Sequence, residues 1–136
     1  MNKIILILLV VTFFSCDKTP ESAKPEPSLS PPQWFIGTWN HSDSTGVIES
    51  LIVSEKDVVV ERFTSSGKLT TSYVDSCKTN SIELKDFVKY NAYYNLEFTD
   101  ENENVYLMYF AKIAYDEVRF LNHIRPTPKT YTRVSD

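Results

Sequence analysis

The chain has 136 residues, with 14 Lys and Arg against 18 Asp and Glu for a net charge of −4. That length suits one domain, and an acidic balance without a basic stripe excludes a typical nucleic-acid binder. Its 2 cysteines exclude a disulfide scaffold, so an apolar core with many aromatic rings must supply the stability.

Reading from the N-terminus, Asn2 and Lys3 lead into an apolar run from Ile4 to Phe14, closed by Ser15 and Cys16. A basic start, a short apolar stretch and a small residue predict a bacterial secretory signal over residues 1–15. The run is too short for a spanning helix, which needs about 20 residues. The tetrad Phe13-Phe14-Ser15-Cys16 resembles a lipobox, with Phe13 where that motif usually carries Leu. The resemblance implies cleavage before Cys16, acylation of its thiol and new amino group by palmitate-type chains, and a membrane lipoprotein. The expected location is the cell envelope, anchored to a bacterial membrane, with the outer membrane favoured and the leaflet left open.

Residues 16–33 hold Pro20, Pro25, Pro27, Pro31 and Pro32 among Ser, Lys and Glu, with Leu29 the one large apolar residue. Such a segment buries too little surface to offset its ordering entropy and reads as a disordered tether. The folded domain is therefore expected over residues 34–136.

Apolar residues there recur with a period of two. The clearest run is Val88–Phe98, where Val88, Tyr90, Ala92, Tyr94, Leu96 and Phe98 alternate with mostly polar neighbours. That alternation marks a half-buried antiparallel strand. Further strands are expected at Thr38–His41, Val47–Val53, Asp57–Thr64, Leu69–Asp75, Ser81–Lys85, Val105–Ile113, Val118–Ile124 and Thr130–Val134. No ten-residue stretch carries a helical stripe. Short polar connections between them predict hairpins. The fold class is all-β: an antiparallel meander of eight or nine strands closing into a small up-and-down barrel. A sandwich is the alternative.

The opening Trp34-Phe35-Ile36-Gly37-Thr38-Trp39 resembles that of lipocalin-like (calycin) domains, which carry Gly-x-Trp on the first strand. The nearest likeness is to compact lipocalin-like lipoproteins of the Bacteroidetes type. The resemblance implies that an Arg on the last strand packs over that Trp, here Arg133 over Trp39, with Gly37 beside them. The chain departs from full lipocalins, which are longer and carry a helix after the barrel; no such helix is expected before Asp136.

An eight-stranded barrel either fills with its own side chains or holds one small ligand. The expected inward set is Val60, Tyr73, Tyr90, Tyr94, Leu96, Phe98, Tyr109 and Phe120, although both faces of Val105–Ile113 are equally apolar. Of these, Tyr73, Tyr90, Tyr94, Tyr109 and Phe120 are the candidate ligand contacts, each ring apolar and each Tyr able to orient a bound molecule. The expected function is binding of a small apolar or amphipathic ligand. The alternative is a filled barrel that docks an envelope protein or glycan through outward Tyr93, Tyr106 and Phe110.

Other chemistry is sparse. Asp100-Glu101-Asn102-Glu103-Asn104 begins like a calcium loop but has Val105 where Gly is required and Ala111 where the bidentate Glu belongs. His41 and His123 lack metal-ligand spacing, with surface histidines the plainer reading. Cys77 reads as a small buried apolar residue. With no nucleophile elbow, phosphate loop or metal helix, no enzyme activity, cofactor or metal is expected.

Overall fold

The computed structural model describes residues 26–122 and 127–135. The signal segment, Cys16 and most of the tether lie outside the described residues, as do His123 and Ile124.

The domain is all-β: the described residues form a nine-stranded antiparallel sheet curled into a half-barrel, with one short helix. Strands β1 (Gly37–Asp43), β2 (Gly46–Val53), β3 (Val58–Thr64) and β4 (Gly67–Ser72) form a meander. A helix, α1 (Tyr73–Thr79), follows. A second meander comprises β5 (Glu83–Lys89), β6 (Tyr93–Thr99), β7 (Val105–Lys112), β8 (Glu117–Asn122) and β9 (Lys129–Arg133). The two meanders join where β1 pairs with β9, through Trp39↔Arg133 and Asn40↔Thr132. The sheet ends at β4 and β5, which do not pair with each other, and α1 contacts both.

Three expectations are corrected. The segment Leu69–Asp75 is not all strand: β4 stops at Ser72, whose side chain caps α1 by accepting from Asp75 N at 3.0 Å. Asp57 fixes that junction, with Oδ1 accepting from Val74 N at 3.1 Å and Oδ2 from the Ser72 hydroxyl at 2.6 Å. The run Val88–Phe98 is not one strand but a hairpin. Tyr90 and Asn91 turn the chain with φ of +54° and +53°, and Lys89 pairs with Tyr93. Finally, the tether does not extend to residue 33. Leu29 is 3% exposed within the core, and Ser30 N donates to Asp86 Oδ2 at 2.6 Å on β5.

Aromatic rings of the core converge on Phe35. Its ring lies 4.7 Å from Phe110, 5.3 Å from Tyr94 and 6.1 Å from Trp39, centroid to centroid, an arrangement of tilted rings that favours their quadrupoles. The Trp39 indole N–H donates to the Phe35 carbonyl at 2.8 Å. Leu51, Val53, Val58, Val60, Leu96 and Val118 extend this cluster along the inner face. Phe110 is fully buried, which settles the ambiguous parity of β7: Met108 and Phe110 face in, Tyr109 faces out, and Phe110 belongs to no outer patch.

Candidate ligand site

Beyond the aromatic core the inner face opens into a cavity of about 860 Å³. Leu51, Tyr73, Met108 and Phe120 supply apolar wall, while His41, Glu49, Arg62 and Lys129 supply charge and polarity. Strand register places the polar groups together. His41 lies opposite Glu49 across β1 and β2, and Glu49 opposite Arg62 across β2 and β3. Lys129 and Tyr131 reach them from β9 over the β1–β9 junction.

Glu49 is the centre of this cluster and is only 5% exposed. Its carboxylate accepts from Arg62 Nε at 2.9 Å, from Lys129 Nζ at 3.0 and 3.1 Å, and from the Tyr131 hydroxyl. Burial by itself would raise the Glu49 carboxyl, but the bonds from Tyr131, Arg62 and Lys129 outweigh it and hold the group below its ordinary value. The same cluster acts on its neighbours. Burial, then the nearby Glu49 charge, pushes Tyr73 up to about 12. Tyr131 is raised by burial and by its bond to Glu49. Both phenols therefore stay protonated as donors at neutral pH.

One carboxylate against two cations leaves the cavity wall with a single positive charge. Arg62 uses Nε for Glu49, so its two Nη groups remain donors without a partner among the described residues. His41 Nδ1–H donates to the Thr130 carbonyl at 2.8 Å, which turns Nε2 toward other partners.

The sequence-predicted residues divide into three groups. Tyr73 and Phe120 line the cavity. Tyr94 is buried in the packed core instead, its hydroxyl donating to Asp86 Oδ2 at 2.8 Å. Tyr90 and Tyr109 are not inside at all: Tyr90 is 81% exposed at the β5–β6 turn, and Tyr109 sits on the outer face with Asn95. The turn at Tyr90 and the parity of β7 are the physical reasons. Gly37, Trp39 and Arg133 do come together, with the Arg133 guanidinium 4.1 Å from the Trp39 ring centre. Cys77 is buried, and its thiol is pushed up to about 11 by burial and by Asp57.

Sequence reasoning missed Glu49, Arg62 and Lys129. Each has the parity of inward apolar neighbours on its own strand: Leu51 for Glu49, Val60 for Arg62, Tyr131 for Lys129. A charge breaking an inward apolar series on three strands was the available signal. Among the described residues no cluster of three metal-type ligands forms, and no helix is long and apolar enough to cross a membrane. Comparison with family models, curated proteins and solved structures finds no match to this chain. The functional reading therefore rests on the cavity itself.

Proposed function

We propose that this protein is a lipid-anchored protein of the bacterial envelope whose half-barrel holds one small amphipathic ligand with an acidic head. The carrying observation is the uncompensated positive charge on a cavity that is lined in part by apolar side chains and aromatic rings. A ligand's apolar body would lie on Leu51, Met108, Phe120 and the Tyr73 ring. Its acid would meet Arg62 and Lys129, the charge-assisted bonds that recognise carboxylates most strongly. The cavity size falls within the range of about 300–1,000 Å³ usual for small-molecule sites.

The reading is a binding protein and not an enzyme, because the cavity's one carboxylate is occupied by three donors and is a poor general base. The Gly37-Thr38-Trp39 opening, the meander and the Arg133 contact support kinship with lipocalin-like domains. The signal-like segment ending at Cys16 supports acylation and an envelope location.

The test is fluorescence titration of the whole chain carrying Cys16→Ser, which blocks acylation, with 11-(dansylamino)undecanoic acid and its methyl ester. The acid should bind with a blue-shifted emission and the ester at least tenfold more weakly. Arg62→Leu should close that gap. A folded protein that enhances neither probe overturns the proposal.

A further inference from the structure

The outer face of the second meander departs from the polar surface expected on the wet side of an antiparallel sheet. Cross-strand pairing sets Phe87, Asn95 and Tyr109 in one row and Lys89 and Tyr93 in the next, with Tyr90 at the adjoining turn. Together these six residues line a cleft of about 520 Å³ on the side of the sheet opposite the cavity. Phe87, Tyr90 and Tyr93 are exposed large rings, and a contiguous exposed apolar patch of this kind marks a binding surface.

Asn95 distinguishes this cleft from a merely greasy patch. It is 3% exposed, between the rings of Phe87 and Tyr109, and its Oδ1 meets no donor among the described residues. A buried acceptor left unpaired costs about 1–3 kcal/mol, a penalty that a ligand's donor would remove. Lys89 adds an ammonium, held 5.2 Å from the Tyr90 ring centre. None of the six lining residues is a carboxylate.

We infer that this cleft is a saccharide-binding site, separate from the half-barrel cavity. Pyranose rings present flat C–H faces for stacking on Phe and Tyr, and hydroxyls that both donate and accept around their rims. The cleft matches both needs, with exposed rings as platforms, Asn95 Oδ1 as acceptor, and Lys89 and the Tyr hydroxyls as donors. The Lys89 charge, without a lining carboxylate, favours acidic over neutral sugars. Tyr90 also stands in a left-handed backbone conformation with φ +54°, where a bulky side chain is strained, yet it holds a large ring out into solvent.

The test is a glycan array carrying neutral and acidic oligosaccharides, probed with the whole chain as Cys16→Ser, followed by NMR titration of the retained sugar. The expected result is retention of an acidic oligosaccharide, with shifts at the Asn95 side-chain amide and the Tyr93 ring. Tyr93→Ala should weaken binding at least tenfold, and Tyr90→Ala at least threefold. Both side chains are exposed, so these variants should fold, and Phe120→Ala in the cavity should bind sugar unchanged. No retained sugar, or retention indifferent to Tyr93 and Tyr90, overturns the assignment. So does a peptide library that selects ligands for the same rings while the array stays blank.

Discussion

The Arg133 guanidinium sits 4.1 Å from the centre of the Trp39 ring, and the two residues are partners across the β1–β9 junction. Arg133 also donates from Nη1 to the Ile36 carbonyl at 2.9 Å and from Nη2 to the Trp34 carbonyl. One side chain thus ties the last strand to the turn that precedes the first. Gly37 makes room for it: its φ is +133°, and a Cβ there would fall 2.8 Å from Arg133 Nη1. Gly37→Ala should therefore cost about 1–3 kcal/mol. Arg133→Leu should cost a similar amount through the lost cation–π contact and two orphaned carbonyls. Thermal denaturation of the two single variants and the double checks this, and the double should lose less than the sum.

Glu49 gives a pH dependence of definite sign. Its folded carboxyl lies below the ordinary 4.5, so the charged form is favoured by folding. The stability it contributes is present above about pH 4.5 and is lost as pH falls through the folded value. Glu49→Gln should be less stable at neutral pH by about 1–2 kcal/mol, because Arg62 and Lys129, both partly solvated, lose their counter-charge. Denaturant unfolding of both proteins across the acid range should show that gap narrowing as pH drops. A gap that stays constant with pH would refute the role assigned to Glu49.

Leu29 makes the end of the Pro-rich segment part of the domain. Leu29→Ala should cost about 2–4 kcal/mol, as for other buried leucines, whereas a substitution in a free tether would be neutral. A chain started at Gln33 should be destabilised at least as much. Urea midpoints of the three proteins decide the point.

The turn at Tyr90 and Asn91 carries two left-handed residues without a glycine. Replacing the pair by Asn-Gly, the preferred sequence for such turns, should stabilise the domain by about 1 kcal/mol. It should also weaken sugar retention, since the Tyr90 ring is lost. A rise in melting temperature with unchanged sugar binding would show that the ring has no part in the cleft.

That same turn shows why some of the fold was legible in the sequence and some was not. Period-two alternation located the meander, because one face of each strand is dry and the other wet. It could not see the β5–β6 turn. Lys89 pairs with Tyr93 four residues on, so Val88, Tyr90, Ala92 and Tyr94 keep one parity straight through the bend. With no Gly or Pro to punctuate it, the hairpin read as a single strand. The cavity was half legible. Phe120 followed from parity and hydropathy, Tyr73 lines the cavity from the first residue of α1 and not from the strand expected there, and Glu49, Arg62 and Lys129 depend on three strands being in register. Glu49 and Lys129 stand 80 residues apart in the chain, and only the β1–β9 pairing brings them into contact.

That junction also moves the sheet's one discontinuity to the middle of the chain. Among the described residues the first and last strands are flanked on both sides, and the unpaired borders belong to β4 and β5. A circularly permuted protein, with a linker from Val134 back to Ser28 that retains Leu29 and a new opening near Asn80, would keep every strand pairing. Its first and last strands would be the sheet's two free borders, and breaking the chain there would interrupt no ladder.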